Sequence, residues 1–254
     1  QALYPIPAVE EMKGVAKLRI NGQFAQNEAQ EWQTNSLTGN VAISAPHLQI
    51  ANFKKRFHSV SSHIDFTKED LTIHQFKAEI GKSAFQLEAK IPAFMQRLAQ
   101  EAPLLITGSL QSKLIAISDF DTKTTSKERD WILPSNLDLR LPFEIKTLVY
   151  DQKEFQQLSG ALSLSPRQLL LSKLQFGHVQ GSWKGQVQLV EDAPCQFALA
   201  TSGGARQVEL STFFKQWNNF DQSVLTNEQL AGKGNFEFDV HTKYDFYKGL
   251  DEAS

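Results

Sequence analysis

The stretch that decides the fold is Leu71-Thr72-Ile73-His74-Gln75-Phe76-Lys77-Ala78-Glu79-Ile80-Gly81-Lys82-Ser83-Ala84-Phe85-Gln86-Leu87-Glu88-Ala89-Lys90-Ile91. In it Phe85, Leu87, Ala89 and Ile91 point one way, while Gln86, Glu88 and Lys90 point the other. Successive side chains of a strand leave opposite faces, so this alternation predicts a half-buried strand with one greasy and one wet face. Upstream, Ile64 and Phe66 lead into the polar turn Thr67-Lys68-Glu69-Asp70, after which Leu71 and Ile73 resume the period of two. The same habit runs through Val41, Ile43 and Ala45, then Leu137, Leu139 and Leu141. It continues through Leu162 and Leu164, Val187 and Leu189, and Phe236, Phe238 and Val240. This reads as antiparallel sheet.

Two stretches break the pattern. Residues 92–100 open on Pro92 and carry Phe94, Met95 and Leu98 at helical spacing. Residues 211–220 begin at Ser211, a good N-cap, and place Phe213, Trp217 and Phe220 on one stripe. Each predicts a short helix that packs on the apolar face.

An internal repeat organises the chain. A shift of 98 residues lays Phe57 on Phe155, Ile64 on Leu162, Phe66 on Leu164, Leu71 on Leu169 and Ile73 on Leu171. Further on, Phe85 meets Trp183, Ala89 meets Val187 and Ile91 meets Leu189, with no gap from Asn40/Asp138 onward. Each copy then has its helix and a glycine-bearing strand. The second copy is expected to insert a strand near Gln196 to Ala200 and a Gly203-Gly204 turn before its helix. Residues 1–38 read as the tail of a preceding β unit, with Leu18, Ile20 and Phe24 in its strand. Residues 39–117 form the first repeat, 118–130 a polar linker and 131–250 the second repeat. The fold class is therefore mainly β: an elongated, curved antiparallel sheet of two repeats of about 98 residues with two short helices.

Composition narrows the function. With 254 residues, 26 Lys and Arg and 28 Asp and Glu, the formal net charge is −2. Nucleic-acid binders usually carry a basic face; here the one basic cluster, Lys54-Lys55-Arg56, reads as a solvated turn, and no nucleic-acid partner is expected. No apolar run approaches the length of a membrane helix. The chain opens on Gln1 and reads as a piece of something longer, with any membrane anchor outside it. Cys195 is the single cysteine, so an intrachain disulfide is impossible.

Chemistry is sparse. No Gly-x-Ser-x-Gly elbow, phosphate-cradling loop or His-Glu-x-x-His occurs, and nothing pairs Cys195 with a base, so no catalytic residue and no enzyme are expected. Pairing Ile64 with Ile73 sets His63 opposite His74, but a third ligand is not evident, so no metal site and no cofactor are expected. Asp119 and Asp121 read as solvated loop charges. Eighteen Phe against four Tyr then read as packing, either in a closed sandwich of two sheets or on an open greasy groove.

A resemblance bears on that choice. The segment Leu104-Leu105-Ile106-Thr107-Gly108-Ser109-Leu110-Gln111-Ser112-Lys113-Leu114-Ile115-Ala116-Ile117-Ser118-Asp119-Phe120 resembles the "l-x-i-x-G-x-l-x-S-x-x-i-x-i-x-D-f" stretch of AsmA-like proteins. Ser36-Leu37-Thr38-Gly39-Asn40 and the strands from Leu71 to Leu87 are similar to those that precede it in that family, and Leu137 to Phe236 looks like a diverged second version. The second copy lacks the Ser112 to Phe120 pattern after its glycine strand. The resemblance implies a periplasmic segment of an envelope protein anchored in the inner membrane. Its role would lie in outer-membrane biogenesis, with phospholipid or another acyl-chain ligand carried in a greasy β-groove and other envelope proteins as possible partners.

The lining expected on that reading is Ile64, Phe66, Leu71, Ile73, Phe85, Leu87 and Ile91 in the first copy. In the second it is Leu162, Leu164, Leu169, Leu171, Trp183, Val187 and Leu189. The alternative is a structural or protein-binding β-module with a closed core.

Overall fold

The structure, a computed structural model, describes residues 9–26, 32–51, 53–121, 133–245 and 249–250, with only the backbone for 32–35 and 249–250. Thirteen strands form one sheet in strict chain order. They are β1 (Val9–Gln26), β2 (Trp32–Ile50), β3 (Phe57–Thr67), β4 (Leu71–Ile80), β5 (Ser83–Ile91), β6 (Leu104–Ala116) and β7 (Leu137–Tyr150). After them come β8 (Lys153–Ser165), β9 (Gln168–His178), β10 (Gly181–Ala193), β11 (Gln196–Glu209), β12 (Lys233–Asp245) and β13 (Gly249–Leu250). The sheet is mostly antiparallel, does not close into a barrel, and carries two short helices, as the alternation predicts. β6 and β7 run parallel, with Ile106 beside Leu139 and Leu110 beside Phe143.

The 98-residue shift holds at the level of hydrogen-bond register. Phe66 pairs with Leu71 and Leu164 with Leu169; Ile73 pairs with Ala89 and Leu171 with Val187; Ile80 pairs with Ser83 and His178 with Gly181. Even a bulge recurs: the ladder slips between His58 and Ser61 and again between Gln156 and Ser159, with Ser59 and Gln157 at φ 52° and 53°. A bulge needs a local backbone distortion that periodicity alone does not supply, so its recurrence marks a common local design. The β7–β8 hairpin departs from the pattern. It closes in the tight turn Asp151-Gln152, and Leu139 faces Leu164 where Val41 faces Ile64. This two-residue offset preserves which face each side chain occupies.

Several expectations need correction. α1 spans Phe94–Ala99, at the end of the sheet, and buries none of its residues. α2 spans Leu210–Gln216, and a kink with left-handed Asn219 and Phe220 separates it from a 3-10 turn at Asn218–Asp221. Glu209, not Ser211, caps α2: its carboxylate accepts from the Thr212 N–H at 2.7 Å, while the Ser211 hydroxyl donates to the Asn227 carbonyl. Gly203-Gly204 is not a turn, because β11 continues straight through it, from Gln196 to Glu209. Cys195 lies in the turn between β10 and β11, where it is buried. Of the expected linker, residues 118–121 are ordered against the first repeat and 122–130 lie outside the described residues.

In the first repeat a core cluster gathers at one end of the strands. Ala45, Phe57, Val60, Ala78 and Ile80 are buried together, with Phe53, Phe85 and Phe120 packed on them. At the opposite strand ends of the second repeat, Leu133, Leu164 and Phe197 form a second cluster with Leu189 and Tyr244. Among the described residues no second sheet lies against the apolar face, because all the strands belong to one sheet.

Candidate functional site

Cross-strand register assembles the expected lining into continuous rows. One row runs from Phe66 through Leu71 to Ile91 in the first repeat and from Leu139 through Leu164, Leu169 and Leu189 to Leu199 in the second. The next joins Val41, Ile64, Ile73 and Ala89, and then Leu141, Leu162, Leu171 and Val187. A third joins Phe76, Leu87, Leu110 and Phe143. Neighbouring strands lie about 4.8 Å apart, so each row is a continuous apolar track over the strands it joins.

Burial separates this surface from an ordinary core. Ile91 and Leu164, at 8% exposure each, are the buried members of the expected set. Ile64, Phe66, Leu71, Ile73, Phe85 and Leu87 are only half-buried, as are Leu162, Leu169, Leu171, Trp183, Val187 and Leu189. In a closed sandwich, inward-facing positions interdigitate with an opposing sheet; here their outer halves have no such cover among the described residues. Glycines bring the strands close along this surface. A Cβ on Gly108 would come within 1.9 Å of the Glu88 carbonyl oxygen and 2.8 Å of the Ala89 Cα.

The apolar face of the second repeat ends in a cluster of side chains at each end of the strands. At one end Trp183 and Phe236 stack 6.5 Å apart over the small, buried Ala205, and Phe213 of α2 covers both at 5.4 and 5.9 Å. His178 stacks on Phe155 at 4.5 Å beside them. Burial pushes the His178 pKa down, and the Lys153 charge adds to this against a hydrogen bond of its Nδ1 to the Glu154 carbonyl. His178 occupies the position of the fully buried Ile80 in the first repeat, which explains its burial. At the other end the Leu133 N–H donates to the Glu191 carboxylate at 2.7 Å, holding Leu133 over Leu164 and Phe197. Sequence reasoning placed Trp183, Phe213 and Phe236 on the apolar face but missed Phe197.

The charged residues carry more structure than expected. Asp119, read from sequence as a solvated loop charge, is 2% exposed. It accepts from the Lys82 N–H at 2.8 Å, the Ser83 N–H at 2.9 Å and the Ser83 hydroxyl at 2.8 Å, and pairs with Lys55. The Lys54-Lys55-Arg56 cluster is likewise tied down, through Asp121, Asp119 and Glu11 in turn. Lys90 pairs with Asp70 at 2.9 Å. A depression of about 960 Å³ is rimmed by Lys77, Lys113 and Lys146 with Glu79 and Glu144 and also reaches Phe85, Ile145 and Leu158. His63 does acquire a third neighbour: with Asp65 and His74 it forms a group whose ligand atoms all lie within 4.8 Å of one another.

Among the described residues no helix is long and apolar enough to cross a membrane. No protein family, no curated protein and no solved structure matches the chain.

Proposed function

We propose that this chain is a non-enzymatic lipid-binding segment of the AsmA-like kind, whose apolar face holds acyl chains while headgroups project into solvent. The carrying observation is the apolar track from Phe66 to Ile91 and from Leu139 to Leu199, half-buried except at Ile91 and Leu164, over which no second sheet lies among the described residues. Half-buried aliphatic side chains leave area in contact with water, and covering it with an alkyl chain returns about 25 cal/mol per Å². The motif around Gly108 to Phe120 supports the same reading and carries with it a periplasmic site of action, an inner-membrane anchor outside this stretch and a part in outer-membrane biogenesis. Organic extraction and mass spectrometry of the natively purified protein, beside a β-sandwich of similar size, test the reading. Near-stoichiometric phospholipid in this sample alone is the expected result; an extract no richer than the control counts against it.

A second reading has its own observation. β1 stands at the outer edge of the sheet, and its Val9, Met12, Val15, Leu18, Ile20 and Phe24 are exposed. A long, apolar edge strand is a template for strand addition, so a protein partner could dock there.

A further inference from the structure

We propose that His63, Asp65 and His74 bind a divalent first-row transition-metal ion, of the zinc type, on the polar face of the sheet. The β3–β4 ladder builds the site. His63 pairs with Gln75 but Ile64 pairs with Ile73, so His74 is the extra residue of a bulge. Bulges re-aim side chains, and this one sets the His74 Nε2 2.8 Å from one Asp65 oxygen. The His63 Nε2 lies 3.4 Å from the other Asp65 oxygen, and the two rings are 5.4 Å apart. Zinc bonds of about 2.0–2.2 Å require ligand atoms roughly 3.3 Å apart in a tetrahedron, so modest side-chain rotations close the set around one ion.

The donor set is selective. Two imidazoles and one carboxylate suit zinc, cobalt, nickel or copper rather than the all-oxygen coordination of magnesium or calcium. The three side chains are 53%, 49% and 50% exposed, which lets them turn and leaves the remaining coordination position to water. The fold itself does not call for them. The corresponding residues of the second repeat are Ala161, Ser163 and Ser172, in a hairpin of the same pairing with a bulge of its own. The nearby His47–His58 pair, with Nδ1 atoms 3.2 Å apart, belongs to no comparable group of three among the described residues.

Isothermal titration of the untagged, chelator-treated protein with zinc chloride near neutral pH tests the proposal, with circular dichroism confirming that each variant is folded. The expected result is one saturable site per chain that weakens about tenfold or more in His74→Ala and in Asp65→Asn. The double variant His47→Ala/His58→Ala should bind as the wild type does. No saturable binding to the wild type, or binding unchanged in His74→Ala and Asp65→Asn, overturns the proposal; so does binding abolished only in the His47/His58 variant.

Discussion

The Asp119 carboxylate accepts the Ser83 hydroxyl at 2.8 Å, although the two residues stand 36 positions apart. This contact ties the 3-10 turn Ile117–Phe120, where the first repeat ends, to the β4–β5 turn at Gly81 and Lys82. Burial alone would raise the Asp119 pKa, but hydrogen bonds from Lys55, Ser83 and the Lys82 N–H, with the Lys55 charge, outweigh it and hold the pKa below the ordinary value. Asp119→Ala removes the acceptor from four donors at once and should cost about 3 kcal/mol. Urea denaturation at neutral pH checks this, and Ser83→Ala made on top of it should add little, since the two act as one unit.

The sign of the pH dependence follows from the same lowered pKa. Its contribution is complete above the unfolded value of about 3.9 and disappears as pH falls through the lower folded value. Asp119→Asn should therefore flatten the acid limb of the stability curve below about pH 4. An unchanged slope there would remove Asp119 from the acid transition.

His178 acts at higher pH. Its folded pKa is depressed by burial, so the unfolded chain takes up the proton first as pH drops. Stability should be full above about pH 6.5 and should decline as pH falls from there toward the folded value. His178→Phe, which keeps a ring against Phe155, should remove that part of the slope; denaturation midpoints at several pH values would show it.

Gly108 tests the close approach of β5 and β6. Gly108→Val would drive a side chain into the Glu88 carbonyl and the Ala89 backbone, separating β5 from β6. A loss of at least the ~1–3 kcal/mol typical of overpacking is expected, with hydrogen exchange rising first along the Ala89–Gly108 ladder. Wild-type stability in this variant would mean the strands can part more freely than the close approach implies.

Lipid contact can be mapped without charged substitutions that risk unfolding the sheet. A photo-reactive phenylalanine analogue at Leu171 or Leu87 should capture lipid, whereas the same group at Lys184 or Gln86, exposed on the opposite face, should not. Mass spectrometry of the irradiated protein distinguishes the faces. Equal capture at all four positions would mean adventitious association.

Strands and facing side chains were legible because each position of Phe85 to Ile91 votes for the same period. The repeat was legible because Ile64/Leu162 and Leu71/Leu169 keep their spacing, and the register carries it down to the bulge at Ser59 and Gln157. Asp119 was not legible: one carboxylate in a polar stretch has no periodicity, and its burial arises from a turn 36 residues away. Asp65 escaped notice as a metal neighbour for a related reason. Alternation sets His63 opposite His74, and only the bulge brings both rings onto the carboxylate between them. Gly203 and Gly204 suggested a turn by residue type, but the approach of Gly203 to the Lys184 carbonyl and the Gly185 backbone makes them close-packing positions within strands.

The strict chain order of the strands has a kinetic consequence. Each strand hydrogen-bonds to its immediate predecessor and successor, so none must wait for a partner from a distant part of the chain. Loop closure then involves short separations at nearly every step, which favours faster assembly than all-β folds with long crossovers allow. The sheet can grow one hairpin at a time from a nucleus at either end, as the polypeptide emerges, with each new strand docking on an edge that is already in place.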